Sequence, residues 1–260
     1  MNAKYLYMVR VSARQRLAER GALLGRAGYY GLVLFVFSKI WEIVLATEPI
    51  GFAQPHQLVW YLAITEWIIL SIPALHLEIE DEVRQGDLAY RLARPVAYPL
   101  AKVAEGLGNL VVRLAVMAPI GFSVAYALTG QLPTAPANLL WLLPLGLLAG
   151  VLWTINMFAV GLSSFWLHQC KPIYWIWQKS AFVLGGLFLP LDLYPEWLRL
   201  LGEWTPFAAV LYHPGTIALG AQTTDALGTM VLLVTWITVC GLVTAALYRR
   251  ALARLELSGG

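Results

Sequence analysis

Charge is scarce in this chain and cysteine is nearly absent. Asp, Glu, Lys and Arg make up 13% of the 260 residues, against 59% hydrophobic ones. A soluble domain averages about 25% charged and about 45–50% apolar residues. The deficit excludes an ordinary soluble domain and points to an integral membrane protein. The two cysteines, Cys170 and Cys240, are too few for a disulfide framework. One falls in a short polar break and the other in an apolar run, so both read as unpaired thiols at different depths.

Motifs that carry chemistry are missing too. The sequence has no GxxxxGK(S/T) phosphate loop, no HExxH metal pair and no GxSxG elbow. Its histidines (His56, His76, His168, His213) are scattered without helical ligand spacing. Nothing supports an enzyme, a bound cofactor or a metal. No internal repeat or low-complexity linker divides the chain, so residues 1–260 read as one transmembrane domain.

What is present is apolar sequence in long runs. Six spans are expected, at about 22–46, 57–77, 104–129, 138–165, 173–190 and 226–248. Each can cross roughly 30 Å of hydrocarbon at about 1.5 Å per residue, the fifth being the shortest. Lys4, Arg10, Arg14, Arg16, Arg20 and Arg26 precede or open the first span. Arg84, Arg91, Arg94 and Lys102 lie between the second and third, Lys171 between the fourth and fifth, and Arg249, Arg250 and Arg254 after the sixth. The connections 47–56 and 130–137 carry no Lys or Arg, and 191–225 carries only Arg199. By the positive-inside rule both termini are cytoplasmic.

The first twenty residues lack the compact apolar core and cleavage site of a signal peptide. Leu6, Val9, Ala13 and Leu17 recur at helical spacing with Arg10 and Arg14 on another face, which predicts a helix in the cytoplasmic membrane interface. The stretch YPEWLRLLGEWTPF (194–207) is too short to span. Pro195 opens it, Trp197 and Trp204 make it amphipathic, and Pro206 ends it, so a short outer-surface element is expected.

Charges within spans are costly and face protein or water. Lys39 on the first span and Glu66 on the second both fall about 10–14 Å below the outer surface, so adjacent antiparallel helices could pair them. Glu42, three residues after Lys39, could share that site. These groups either fix helix packing or line a translocation path. Arg113 and Lys179 are expected to snorkel to the inner headgroups. Gly146 and Gly150 form a GxxxG pair that permits close helix approach, and Pro144 is placed to kink the fourth span.

The most charged segment is DEVRQGDLAYRLARPV (81–96), with six charges in sixteen residues. Gly86 breaks the preceding helix and Asp87 can cap a new one. A short helix 88–93 then runs to Arg94-Pro95, where proline disfavours helix. Leu88 and Leu92 share one face, and Arg91 and Arg94 another. Composition alone does not separate a docking helix from a solvated connection.

The stretch 79–100, with its acid-rich turn, Gly-Asp, leucines and Arg-Pro, resembles the permease subunits of type-2 ATP-binding-cassette (ABC) exporters. So does PLDLYPEWLRLLGEWTPFAAVLYHP (190–214), and so does the all-α layout of six spans with an interfacial N-terminal helix. The resemblance implies a coupling helix between spans two and three that inserts into a separate ABC ATPase subunit. Its candidate contacts are Glu80, Asp81, Glu82, Arg84, Gly86, Asp87, Leu88, Arg91, Leu92 and Arg94. It further implies that the outer element with Pro195, Trp197, Trp204 and Pro206 caps the pathway. ATP and Mg would sit on the partner ATPase, and a second permease, identical or paralogous, would complete the path. Membrane lipid is the remaining partner and nucleic acid is not one. The expected location is a bacterial cell membrane, and the expected cargo is amphiphilic, drug-like or lipid-linked. Two other classes fit the residues: a secondary transporter or channel using Lys39, Glu42 and Glu66, and a membrane scaffold.

Overall fold

A computed structural model of the protein describes residues 3–47, 54–217, 219–220 and 226–258. The described residues are helical, with no strand among them. Helix α1 (Ala3–Ala18) is followed by α2 (Arg20–Thr47), α3 (Pro55–Ser71), α4 (Leu75–Gln85) and α5 (Asp87–Leu92). Then come α6 (Tyr98–Thr129), a 3-10 turn (Pro136–Trp141), α7 (Leu142–Leu162), α8 (Ser164–Leu167) and α9 (Lys171–Leu184). A second 3-10 turn (Leu191–Leu193) leads to α10 (Glu196–Glu203), α11 (Pro206–Val210), α12 (Tyr212–Ile217) and α13 (Ala226–Ser258). Most of the connection 47–56 and the end of 191–225 lie outside the described residues.

Among the described residues, five segments are long and apolar enough to cross a membrane: Arg20–Thr47, Pro55–Gln85, Tyr98–Thr129, Pro136–Leu167 and Ala226–Arg254. Helices α3 and α7 are apolar all round and form the centre, which is where such helices belong. Helix α2 buries only Tyr30, Leu34 and Trp41, a narrow stripe against α3 and α6. Lipid tails are as apolar as leucine, so close packing and hydrogen bonds hold these helices together. Trp60 Nε1 donates to Gln131 O at 2.9 Å, and Trp67 Nε1 to Leu114 O at 2.9 Å. Each such bond contributes about 0.6 to 2 kcal/mol. The GxxxG pair does what its spacing predicts: Gly146 receives the Trp67 ring and Gly150 the Leu110 side chain. Pro144, in contrast, lies in the first turn of α7, where a missing N–H costs nothing, so it kinks no helix interior.

The expected second span does not run through as one helix. It breaks at Ile72-Pro73-Ala74, where proline removes a donor. Two arginines compensate. Arg26 Nη1 donates to Leu70 O at 3.0 Å, and Arg113 Nη1 donates to Ile72 O. Both sit where the dipole of α3 is negative and its last carbonyls lack helical partners. Arg113 is therefore held inside the bundle, 2% exposed, and does not snorkel. Lys179 lies over the rings of Trp175 and Phe182, at 5.5 and 5.4 Å from their centroids.

The expected fifth span, 173–190, is a helix of 14 residues that stops at Leu184. At about 1.5 Å per residue it is roughly 21 Å long, short of the hydrocarbon thickness. Its C-terminal turn is fixed inside the protein. Tyr61 OH donates to Gly186 O at 2.5 Å, and Thr65 Oγ1 to Leu187 O at 2.8 Å. Irregular backbone at membrane depth is tolerated only where protein satisfies it, and α3 supplies that.

Helix α1 lies across α6. Gly108 makes the crossing possible, because a side chain there would strike Val9 and Ser12. Lys4 Nζ donates to Pro95 O at 3.0 Å and Arg16 Nε to Asn109 Oδ1 at 3.3 Å, so polar bonds fix both ends. Ser12 is buried while Leu6 and Leu17 stay exposed. Of the face predicted to lie in lipid, Leu6 and Leu17 are exposed, while Val9 and Ala13 lie at the crossing with α6.

Candidate functional site

Two regions concentrate the polar groups: the charged elbow formed by α4 and α5, and a cavity between α2, α3, α7 and α9.

Gly86 makes the elbow. Its φ of 79° lies in the left-handed region that glycine adopts without penalty, and it ends α4 and starts α5 at one residue. Asp87 is the first residue of α5 and not its cap. No side-chain bond caps this helix, although a carboxylate in the first turn still suits its dipole.

Some of the acids and bases of the elbow are turned inward, Glu80, Glu82 and Lys102 among them. Glu82 Oε1 is 2.6 Å from Lys102 Nζ and 2.8 Å from Arg91 Nε, and Tyr98 OH donates to Glu82 Oε2 at 2.7 Å. Glu105 contacts the same Lys102 at 3.3 Å and Arg91 at 3.7 Å, and Glu78 reaches Lys102 at 3.4 Å. Lys102 is 2% exposed, yet three carboxylates surround it, which is what a buried charge requires. The cluster ties α4, α5 and α6 into one body.

Glu80 has a different task. Its Oε2 accepts the backbone N–H of Cys170 at 2.6 Å, at the start of α9. A carboxylate at a helix N-terminus satisfies an orphan donor and complements the dipole. Helix α4 is thereby linked to α9. The Cys170 thiol donates to His76 O at 3.5 Å. Burial, then the hydrogen bond and charge of Glu80, push that thiol up to about 12.

The predicted coupling residues therefore divide. Glu80, Glu82 and Leu88 are buried within this chain, and Arg91 and Leu92 are half-buried. They offer little surface to a partner: on α4, Glu82 follows Leu75 and Ile79 at helical spacing and Glu80 follows His76, while Leu88 is the buried residue of α5. Asp81, Arg84, Gly86, Asp87 and Arg94 are exposed. Sequence reasoning missed Tyr90, 77% exposed on α5. A large aromatic residue standing out from a short charged helix was the available signal.

The cavity measures about 250 Å³. Glu66, Arg26, His76 and Gln178 supply its polar lining, with Trp153 and Phe182 among its apolar walls. Helix α9 does not pack closely along α2 or α3, which leaves this space. His76 stacks on Tyr174 with centroids 4.1 Å apart. Glu66 is 4% exposed and has no hydrogen bond or ion pair among the described residues. The expected pairing with Lys39 is not formed. Lys39 instead bonds Glu42 at 2.7 Å, and both side chains are more than half exposed on α2.

At the opposite end of the bundle, Pro195 precedes α10 and Pro206 opens α11, as their positions predict. Trp197 and Trp204 are 69% and 82% exposed, whereas Phe207, Ala208, Ala209 and Val210 turn into the core. Tyr212 OH donates to Asp192 Oδ1 at 2.8 Å, which closes the segment on itself.

Comparison with known families decides the class. Residues 32–259 match the model of a family described as "ABC-2 family transporter protein". The chain belongs to the ABC-2 family of transporter proteins. No curated protein matches it. An ABC-2 permease is the membrane-spanning subunit of an ABC transporter and not its ATPase, so membership implies an ATP-binding partner subunit. It also accounts for the missing nucleotide loop in an ATP-linked system.

Proposed function

We propose that this ABC-2 permease is one half of an ATP-driven exporter, and that α5 is its coupling helix. One observation carries the reading. Helix α5 is locked to the membrane domain from behind, through Glu82, Arg91 and Lys102, while Asp87, Tyr90 and Arg94 remain free in front. A lever needs that combination of rigid support and open contact surface.

Closure of Mg-ATP-bound ATPase subunits would push α5, and the ion cluster would pass the displacement to α4 and α6. Glu80 would pass it on to the start of α9, beside the cavity. The permease would then alternate between two access states. Helix α9 and the turn held by Tyr61 and Thr65 would act as the short fifth of six spans, followed by the outer cap α10–α12.

The exposed Lys39–Glu42 pair on α2 supports a second permease copy or paralogue against that face, since such a pair is costly toward lipid. The charge-rich end would be cytoplasmic with both termini, in a bacterial cell membrane. The cargo would be amphiphilic, drug-like or lipid-linked.

Affinity purification of the solubilised full chain from its native membrane tests the reading. An ABC ATPase should co-purify with the wild type and be lost from Tyr90→Ala, Arg94→Glu. Recovery of the permease without any ATPase would count against it.

A further inference from the structure

Glu66 is the feature that the coupling account leaves unused. The residue is buried, with 4% of its surface exposed. It lines a cavity of about 250 Å³ and has no hydrogen bond or ion pair among the described residues. An isolated buried carboxylate is costly, and one inside a membrane helix points to a functional site. Arg26 lines the same cavity, but its Nη1 bonds Leu70 O at 3.0 Å and it makes no ion pair with Glu66.

The walls narrow the ligand class. Ile69, Trp153, Met157, Phe182 and Phe188 give the cavity an aromatic and aliphatic body around one acid, Glu66, and one base, Arg26. Aromatic faces and a carboxylate both attract cations, and both reject anions. Phe188 is stacked on Phe37 with centroids 4.8 Å apart, which closes the side nearer the turn after α9. The volume lies just below the roughly 300–1,000 Å³ of drug-sized pockets. It suits the charged end of an amphiphile, with the tail leaving between α2 and α9.

We propose that this cavity is a binding site for hydrophobic organic cations, amines foremost, and that Glu66 is its specificity-determining residue. The cargo class rests on the exporter reading above, but the binding event does not need an ATPase. Gln178 and the His76 Nδ1, which is buried without a hydrogen-bond partner, supply further polar contacts at the wall.

The test uses the full chain in nanodiscs of zwitterionic lipid and radiolabelled phenylpropylamine. Phenylpropanol and phenylpropionate serve as neutral and anionic competitors. Saturable amine binding is expected, with much weaker competition from the alcohol and none from the carboxylate. Glu66→Gln should weaken amine affinity at least tenfold, and Glu66→Asp should retain part of it. Glu19→Gln, exposed between α1 and α2, should leave it unchanged. Monodisperse elution and an unaltered melting temperature establish that each variant is folded. Unsaturable amine binding, equal affinity in folded Glu66→Gln, or equal competition by phenylpropionate would overturn the proposal. ATPase co-purification is read in parallel. Lost amine binding with ATPase retained removes the cargo class alone, whereas wild-type chain without ATPase removes the exporter reading.

Discussion

Glu82 and Lys102 form a buried ion pair, with Oε1 2.6 Å from Nζ. The pair joins the helix before the elbow to the helix after it, and Arg91 on α5 shares the same oxygen at 2.8 Å. Removing one member leaves the others charged and buried. Lys102→Met should therefore cost about 3–5 kcal/mol, the usual effect of orphaning a buried charge. Thermal unfolding in detergent reads this loss. The double variant Glu82→Gln, Lys102→Gln should recover part of it, because both charges leave together. Strictly additive losses would show that the pair is not coupled.

Glu80 should behave as a helix anchor. Glu80→Ala removes a charge-assisted bond to the Cys170 N–H, worth about 1.5–3 kcal/mol. It also changes the thiol. Burial and the Glu80 carboxylate favour neutral Cys170 and hold its titration at about 12. The reactive thiolate is thus nearly absent at pH 8. Removing the negative charge shifts the onset of thiolate formation to lower pH. Alkylation of Cys170 by N-ethylmaleimide, followed by mass spectrometry across pH, should begin at lower pH in Glu80→Ala than in the wild type.

Leu88 and Tyr90 stand two residues apart on α5 but should separate stability from coupling. Leu88 is 3% exposed, and Leu88→Ala should cost about 2–5 kcal/mol in unfolding. Tyr90→Ala should change stability by less than about 0.5 kcal/mol, as exposed substitutions do. ATPase co-purification should nevertheless fall with Tyr90→Ala. The two readouts, taken together, distinguish a contact face from a structural one.

Lys39 and Glu66 should act independently. An exposed pair such as Lys39–Glu42 contributes about 0–1 kcal/mol. Lys39→Gln should therefore shift the melting temperature little, and its effect should add to that of Glu66→Gln. A charge-swapped Lys39→Glu, Glu66→Lys protein should show no rescue.

The long apolar runs made most of the helical layout legible, and the helix 88–93 expected between Gly86 and Pro95 lies within one residue of α5 at each end. Three features were harder to read. Pro73 signalled the break below α3, but a 20-residue apolar window averages over it. Gly185 and Gly186 signalled the early end of α9, yet hydropathy continues through Leu187–Leu189. The orientation of Glu80 and Glu82 was encoded too, since Leu75, Ile79 and Glu82 follow helical spacing and Glu80 follows buried His76 by four residues. Their acidity argued for water instead. Which base meets which acid depends on how α4, α5 and α6 cross, and no local pattern specifies that. The same holds for Arg26 and Arg113, whose partners are backbone carbonyls of another helix.

Site-specific photo-crosslinking tests the central claim most directly. A photoreactive phenylalanine analogue placed at Tyr90, in the full chain expressed in its native membrane, should give an adduct with an ABC ATPase subunit. The same analogue at Leu140, exposed on the turn before α7, should give none. An ATPase adduct at 140 and none at 90 would contradict the assignment of α5 as the coupling helix.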